Sequence, residues 1–218
     1  MTISTILLDF DGVLMESVNI KTEAFKKLFS FSPDHIDEIT RFHLKNGGMS
    51  RFEKFRYIYR NILKKDLSDE QFAWLSDKFS QLVKEEVIRA PFVPGAEEFL
   101  KKYQARIDLY IVSATPEYEL KEIIDRRQLT KYFKAVFGSP ASKADHINEI
   151  IMQTGADSRT VVFVGDAKND CVAAETAGVR FIGRVPPNTL NPFSSCTSVE
   201  CMVADLEELA TILESELC

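Results

Sequence analysis

The stretch ILLDFDGVL, residues 6–14, sets three apolar residues directly against two aspartates and a glycine. Ile6, Leu7 and Leu8 do not alternate with polar residues, as a strand covered on one face does. An unbroken apolar run suits a strand buried on both faces, as in a parallel sheet. The run stops at Asp9, so a buried strand ends where two carboxylates begin, at i and i+2. Open α/β sheets bind ligands at the carboxyl ends of their strands, and Gly12 permits a sharp backbone departure there. An isolated D-x-D-G is usually a solvated acidic turn. Its meaning depends on what else the chain brings to strand ends.

Further apolar runs follow at Leu109–Val112, Ala135–Phe137, Val161–Val164 and Val179–Ile182, with Cys201–Val203 as a short last strand. Between and after them, residues 94–104, 116–127, 143–154, 169–177 and 205–216 read as amphipathic helices. Strand and helix alternating in this way predict βαβ units and a doubly wound α/β sheet. The first run ends at Leu8 and the second begins at Leu109, far beyond the crossover of about a dozen or more residues that joins parallel strands. That interval is itself helical. SRFE (50–53) and SDEQ (68–71) have the S-x-x-E/Q form of a capping box. Behind them, Phe52, Phe55, Tyr59, Ile62 and Leu63, and then Phe72, Leu75, Phe79, Leu82 and Val83, recur near the helical period. Residues 18–29 and the segment opened by Ser32-Pro33 hold two more candidates. The expected organisation is a Rossmann-like core domain of residues 1–15 and 89–218 and an inserted helical domain of residues 16–88. Arg89–Pro94 would be the return hinge, and Pro186–Ser198 reads as a loop.

Composition narrows the function. With 33 acidic and 27 basic residues the net charge is −6, against the basic stripe a nucleic-acid binder needs. No apolar stretch approaches the ~20 residues of a membrane span. The opening MTISTILLDF lacks a charged n-region and meets an aspartate early, unlike a signal peptide. Cys171, Cys196, Cys201 and Cys218 show no metal-ligand spacing, which points to reduced thiols in a cytoplasmic protein.

Other strand ends carry chemistry as well. Ser113 and Thr115 close the second run, and Pro116 opens a helix, a place where a hydroxyl and free N–H groups bind anions. Lys143 opens a helix, where the dipole disfavours a cation. Asp166 and Asp170 follow the fourth run. The ordered set DFDGVL (9–14), IVSATPE (111–117), Lys143, VGDAKND (164–170) and AAETAGV (173–179) resembles the haloacid dehalogenase superfamily, in its phosphatase-like branch. The resemblance covers essentially the whole chain. It implies a HAD-like Rossmannoid parallel sheet with an inserted helical cap domain.

Residue by residue, the resemblance implies Asp9 as the nucleophile that becomes an aspartyl-phosphate and Asp11 as the general acid and then base. Ser113 and the N–H of Ala114 would bind phosphoryl oxygens, and Lys143 would offset charge on Asp9 and the phosphate. Asp9, Asp166 and the main-chain carbonyl of Asp11 would hold Mg²⁺, with Asp170 behind them. Charge supports a cation independently. Four carboxylates (Asp9, Asp11, Asp166, Asp170) against one lysine would repel a phosphate dianion, and a hard divalent ion with oxygen ligands corrects this.

The expected activity is Mg²⁺-dependent hydrolysis of a small phosphomonoester, a sugar phosphate by preference. LKNGGMSR (44–51) resembles the cap loop of β-phosphoglucomutases, in which Arg51 would recognise a second phosphate. A sugar phosphomutase is therefore the alternative. Against it, Lys21 stands where such mutases have a hinge histidine, and Asn46-Gly47 lengthens the loop; Lys21 joins Arg51 as a candidate substrate contact. A non-enzymatic phospho-aspartate module is a remote third reading, since its lysine comes last in order. Trp74 is expected to pack in the helical interval, and His35, His43 and His146 to lie on helix surfaces.

Overall fold

The computed structural model describes residues 3–217. Its sheet grows from the quoted stretch: β1 (Thr5–Leu8) is central, flanked by β2 (Asp108–Pro116) and β4 (Val161–Gly165). With β3 (Ala135–Ser139), β5 (Arg180–Arg184) and β6 (Val199–Val203) the order is β3-β2-β1-β4-β5-β6, parallel throughout. The register aligns Leu8 with Ile111 on one side and Val164 on the other, so the three central strands end level. The chain builds outward from β1 to β3, then crosses back to start β4 on the other side. That reversal opens the crevice at the strands' carboxyl ends.

The unbroken apolar runs are explained by burial on both faces. Ile6 and Leu8 join one apolar cluster and Leu7 the other. Helices α5 (Ala96–Tyr103), α6 (Glu117–Arg126) and α9 (Leu206–Leu217) supply the first cluster through Phe99, Ile123 and Leu209. Helices α7 (Lys143–Thr154) and α8 (Lys168–Ala177) supply the second through Ile147, Ile150 and Ala174.

Between β1 and β2 lie α1 (Val18–Leu28), α2 (Ile36–Lys45), α3 (Arg51–Tyr57, continued by a wider turn to Ile62) and α4 (Asp69–Arg89). Both expected capping boxes are present, at Ser50 with Glu53 and Ser68 with Gln71. Phe25, Phe29, Phe55 and Phe79 form the interval's aromatic centre, with ring centroids 4.8–6.2 Å apart. The outgoing and returning chains lie side by side: Glu16 N–H donates to Pro91 O and Val93 N–H to Leu14 O, each at 3.0 Å.

Several expectations need correction. Trp74 is 54% exposed, because α4 buries only a narrow stripe of Leu75, Phe79, Val83 and Val87, and Trp74 lies outside it. His43 is buried on the inner face of α2 against Phe25, and His146 is buried with Nε2 2.9 Å from Gly138 O. His35 is half-buried beside Ser32. Cys171 and Cys196 are free thiols, and Cys218 lies outside the described residues. Among those residues no helix is long and apolar enough to cross a membrane.

Residues 186–198 contain no strand or helix, yet Phe193 is buried, edge-on to Phe181 at 5.4 Å between centroids. Its ring occupies the space where a side chain at Gly183 of β5 would stand. Phe193 thus plugs the loop into the sheet. Replacing it by alanine leaves a cavity over β5, and urea unfolding of Phe193→Ala should show a loss of about 3 kcal/mol or more.

Candidate active site

Asp9 sits one residue beyond β1, its N–H donating to Val164 O at 2.9 Å, which fixes it to the neighbouring strand. Its side chain is buried. Oδ1 accepts from Phe10 N–H at 2.7 Å, and Oδ2 lies 2.8 Å from the ammonium of Lys143. Lys143 also reaches Asp170 at 2.5 Å. It is the first residue of α7, whose N-terminus is satisfied by the Ser142–Asp145 capping box, and its side chain runs into the crevice instead of outward. Asp170, in the first turn of α8, spends its other oxygen on Ala167 N–H at 3.0 Å.

Asp9, Asp166 and Asp170 each present an oxygen within 4.8 Å of one another. Burial pushes the Asp9 carboxyl up to about 6; Lys143 pulls it down, but Asp170 and Asp11 push the other way. Burial, then the charges of Asp9 and Asp170, hold Asp166 well above the usual carboxylate range. Burial would lower Lys143, yet Asp170 and Asp9 outweigh it and raise the ammonium above its ordinary value. Carboxylates that resist ionising together are short of positive charge, and their all-oxygen donor set fits a hard divalent cation. Asp9 and Asp170 each place one oxygen on Lys143 and the other on a backbone N–H, so Asp166 is the freest donor of the three. The Asp11 side chain does not join this cluster, which leaves only its carbonyl for the metal role expected of it.

Asp11 turns instead toward the helical interval. Ser17 Oγ donates to it at 2.6 Å, Thr115 Oγ1 at 2.9 Å, and the Lys21 ammonium pairs with it while also reaching Thr115 at 2.7 Å. Burial would raise the Asp11 carboxyl, but the charge of Lys21 and these hydrogen bonds hold it below its ordinary value. Gly12 has φ +77°, and a Cβ there would run into the Asp166 carboxylate. Arg184, buried at the end of β5, props this turn by donating to Gly12 O at 3.0 Å and pairing with Glu16.

The expected phosphate-binding residues Ser113 and Ala114 line the same cleft as Asp9, Asp11 and Asp166. From the other side come Lys21, Arg51 and Lys54, with the Gly47–Gly48 loop tied to α8 by Asn169 Nδ2 donating to Gly47 O at 2.9 Å. Arg51 is 5% exposed, and its guanidinium grips Glu119 of α6 in a two-pronged pair at 2.9 and 2.5 Å. Ser80 of α4 bonds to both. The charge expected to meet a second phosphate is therefore already met by Glu119. The sequence does not single out Ser17, Glu119, Lys54 or Arg184; it marks Thr115 only as closing a strand and His43 only as a surface residue. Only Thr115, two residues beyond Ser113, carried a signal that could have found it.

The order of these groups along one sheet edge matches a known family: residues 6–184 fit the model described as haloacid dehalogenase-like hydrolase. The chain belongs to that family. As a haloacid dehalogenase-like hydrolase it is an enzyme. It is 24% identical over 184 residues to phosphoglycolate phosphatase 1 of Pseudomonas aeruginosa, covering 80% of this chain and 66% of that one. It is 27% identical over 187 residues to a phosphorylated carbohydrates phosphatase of Thermotoga maritima, covering 81% and 82%. In fold it is similar to the HAD-hydrolase YfnB of Bacillus subtilis bound to magnesium, with a TM-score of 0.70 and 20% identity over 98% of this chain and all of that one.

Two outcomes follow from this geometry. A carboxyl whose pKa is about 6 when folded and 3.8 when unfolded favours the fold below about pH 4, and that contribution is lost as the pH rises through 6. In EDTA, wild type should therefore lose ground to Asp9→Asn between pH 4 and pH 7 in urea unfolding. Separately, Glu119→Gln strands a buried guanidinium, and thermal and urea unfolding should show a loss of about 3 kcal/mol or more.

Proposed function

We propose that this hydrolase is a Mg²⁺-dependent phosphatase of small phosphomonoesters, working through an aspartyl-phosphate on Asp9. The observation that carries the reading is the buried Lys143 bridging Asp9 and Asp170 at 2.8 and 2.5 Å beside Asp166. It presents one carboxylate fixed for attack in a setting where one ammonium faces three carboxyl groups. The phosphatase names of the two relatives support the reaction class.

In this reading Asp9 attacks phosphorus, the bond to the leaving oxygen breaks, and Asp11 gives that oxygen its proton. Water then attacks the acyl phosphate, Asp11 takes its proton, and Asp9 is released with inorganic phosphate. Splitting one displacement into two is the usual logic of covalent catalysis. Ser113 Oγ and the Ala114 N–H hold phosphoryl oxygens, and Lys143 keeps the Asp9 charge tolerable. Mg²⁺, held by Asp9, Asp166 and the carbonyl of Asp11, would neutralise charge on the phosphoryl oxygens.

Asp11 has two protonation tasks, and Lys21 bears on both. Paired with Lys21, Asp11 is configured as the ionised base of the second step. A phosphate dianion arriving beside Lys21 competes for the ammonium and releases Asp11 to carry the proton of the first. We assign residues 16–88 the part of a cap that closes on the core, excluding water from the first displacement. Arg51, committed to Glu119, serves as a closing contact in this scheme, which removes the feature that had suggested a phosphomutase.

Phosphate release should be measured with 2-phosphoglycolate, sugar phosphates, nucleotides and an aryl phosphate, in Mg²⁺ and in EDTA. Release from a subset is expected in Mg²⁺ alone, with Asp9→Asn slower by on the order of a thousandfold or more while remaining folded. Full activity in excess EDTA would sink the metal assignment. A variant retaining more than a few per cent of turnover would sink the nucleophile.

A further inference from the structure

Three cations of the helical interval reach the cleft, and two already have carboxylate partners: Lys21 on Asp11 and Arg51 on Glu119. Lys54 has none among the described residues. It is 4% exposed; its ammonium hydrogen-bonds to Nδ1 and the carbonyl oxygen of His43, at 3.1 and 3.2 Å, and lies over the Phe25 ring at 5.6 Å from its centroid. Asp166 and Asp11 act on it through space without bonding to it.

The partner is a neutral one. His43 is buried, its ring 4.3 Å from that of Phe25, and burial with the charges of Lys54 and Lys21 holds its pKa down at about 2. An ammonium can only donate, so the Lys54 cation selects the neutral imidazole tautomer whose Nδ1 accepts. An ammonium has three N–H donors. His43 takes two, which orients the side chain and leaves the third without a protein acceptor at the wall of the cleft. A buried cation facing neutral groups is costly unless a counter-charge joins it. Burial, followed by the charge of Lys21, accordingly lowers Lys54 to about 7.

We infer that Lys54, seated on His43, binds a second anionic group of the substrate, so that the enzyme selects small phosphomonoesters ending in a carboxylate or a second phosphate over those with a neutral end. Which end is hydrolysed rests on the phosphatase reading above; the anion subsite itself does not. A charge-assisted hydrogen bond in a site closed to water is among the stronger contacts a substrate can make.

The test compares kcat/KM for 2-phosphoglycolate, propane-1,3-diol bisphosphate and ethyl phosphate in wild type, Lys54→Met and Lys54→Gln. Wild type should prefer at least one anionic-ended substrate over ethyl phosphate by tenfold or more, the preferred one identifying the end group. Both variants should collapse that preference at least tenfold. Absence of a preference in wild type, or equal losses on all three substrates, overturns the inference. If none of the three is hydrolysed, calorimetry decides the subsite alone, whatever the wider substrate panel shows for the phosphatase reading. Phosphonoacetate or propane-1,3-diylbisphosphonate should bind wild type at least tenfold more tightly than ethylphosphonate, and equal affinities of all three refute the role of Lys54. The wild-type comparison needs no variant to fold.

Discussion

Lys143 is the contact on which the crevice depends. Its ammonium joins the residue after β1 to the first turn of α8 while its own backbone opens α7, so one buried charge sets the relation of three elements. Without it, Asp9, Asp166 and Asp170 would face one another with no cation among the described residues in bonding distance of any of them. The lysine makes such a cluster foldable, and a single positive charge leaves the cluster still short. A site built this way is stable enough to form and remains receptive to a further cation.

The cleft repeats that economy on its other wall. Asp11 and Lys21, half-buried, and Arg51 with Glu119 and Lys54 with His43, both buried, are three pairings of unequal charge balance. The first is an ion pair at the edge of the chemistry. The second is a fully matched pair with a hydroxyl at its flank. The third has a cation and no anion. Buried charge is tolerated in proportion to how completely it is compensated, so the least compensated pairing is where a ligand has most to add.

Much of this was legible in the sequence, for physical reasons that are local. Ile6–Leu8 and Val161–Val164 had to be strands buried on both faces because no polar residue interrupts them. Asp9, Ser113 and Asp166 had to meet because each closes such a run and parallel strands in register end level. Ser50 and Ser68 announced their helices through the spacing of their caps. What stayed hidden depends on contacts between distant segments. Glu119 reads as a surface acid of α6 until α3 places Arg51 against it. Lys54 and His43 look like solvent-facing residues until α2 and α3 fold their faces together. Trp74 failed in the opposite sense: its apolar character suggested packing, but α4 buries a stripe too narrow to include it.

The outgoing and returning chains at the root of the helical interval are hydrogen-bonded neighbours, Leu14 and Glu16 beside Val93 and Pro91. To the sheet, everything between them is a loop whose ends already touch. The entropy of closing such a loop grows only with the logarithm of its length, by about 0.6 kcal/mol for each doubling. The core is therefore nearly indifferent to how much chain is inserted there or how that chain is folded. This makes the position a natural socket: one unit can be exchanged for another of different size and lining, altering what the crevice admits while the strand ends that hold Asp9 and Asp166 stay where they are.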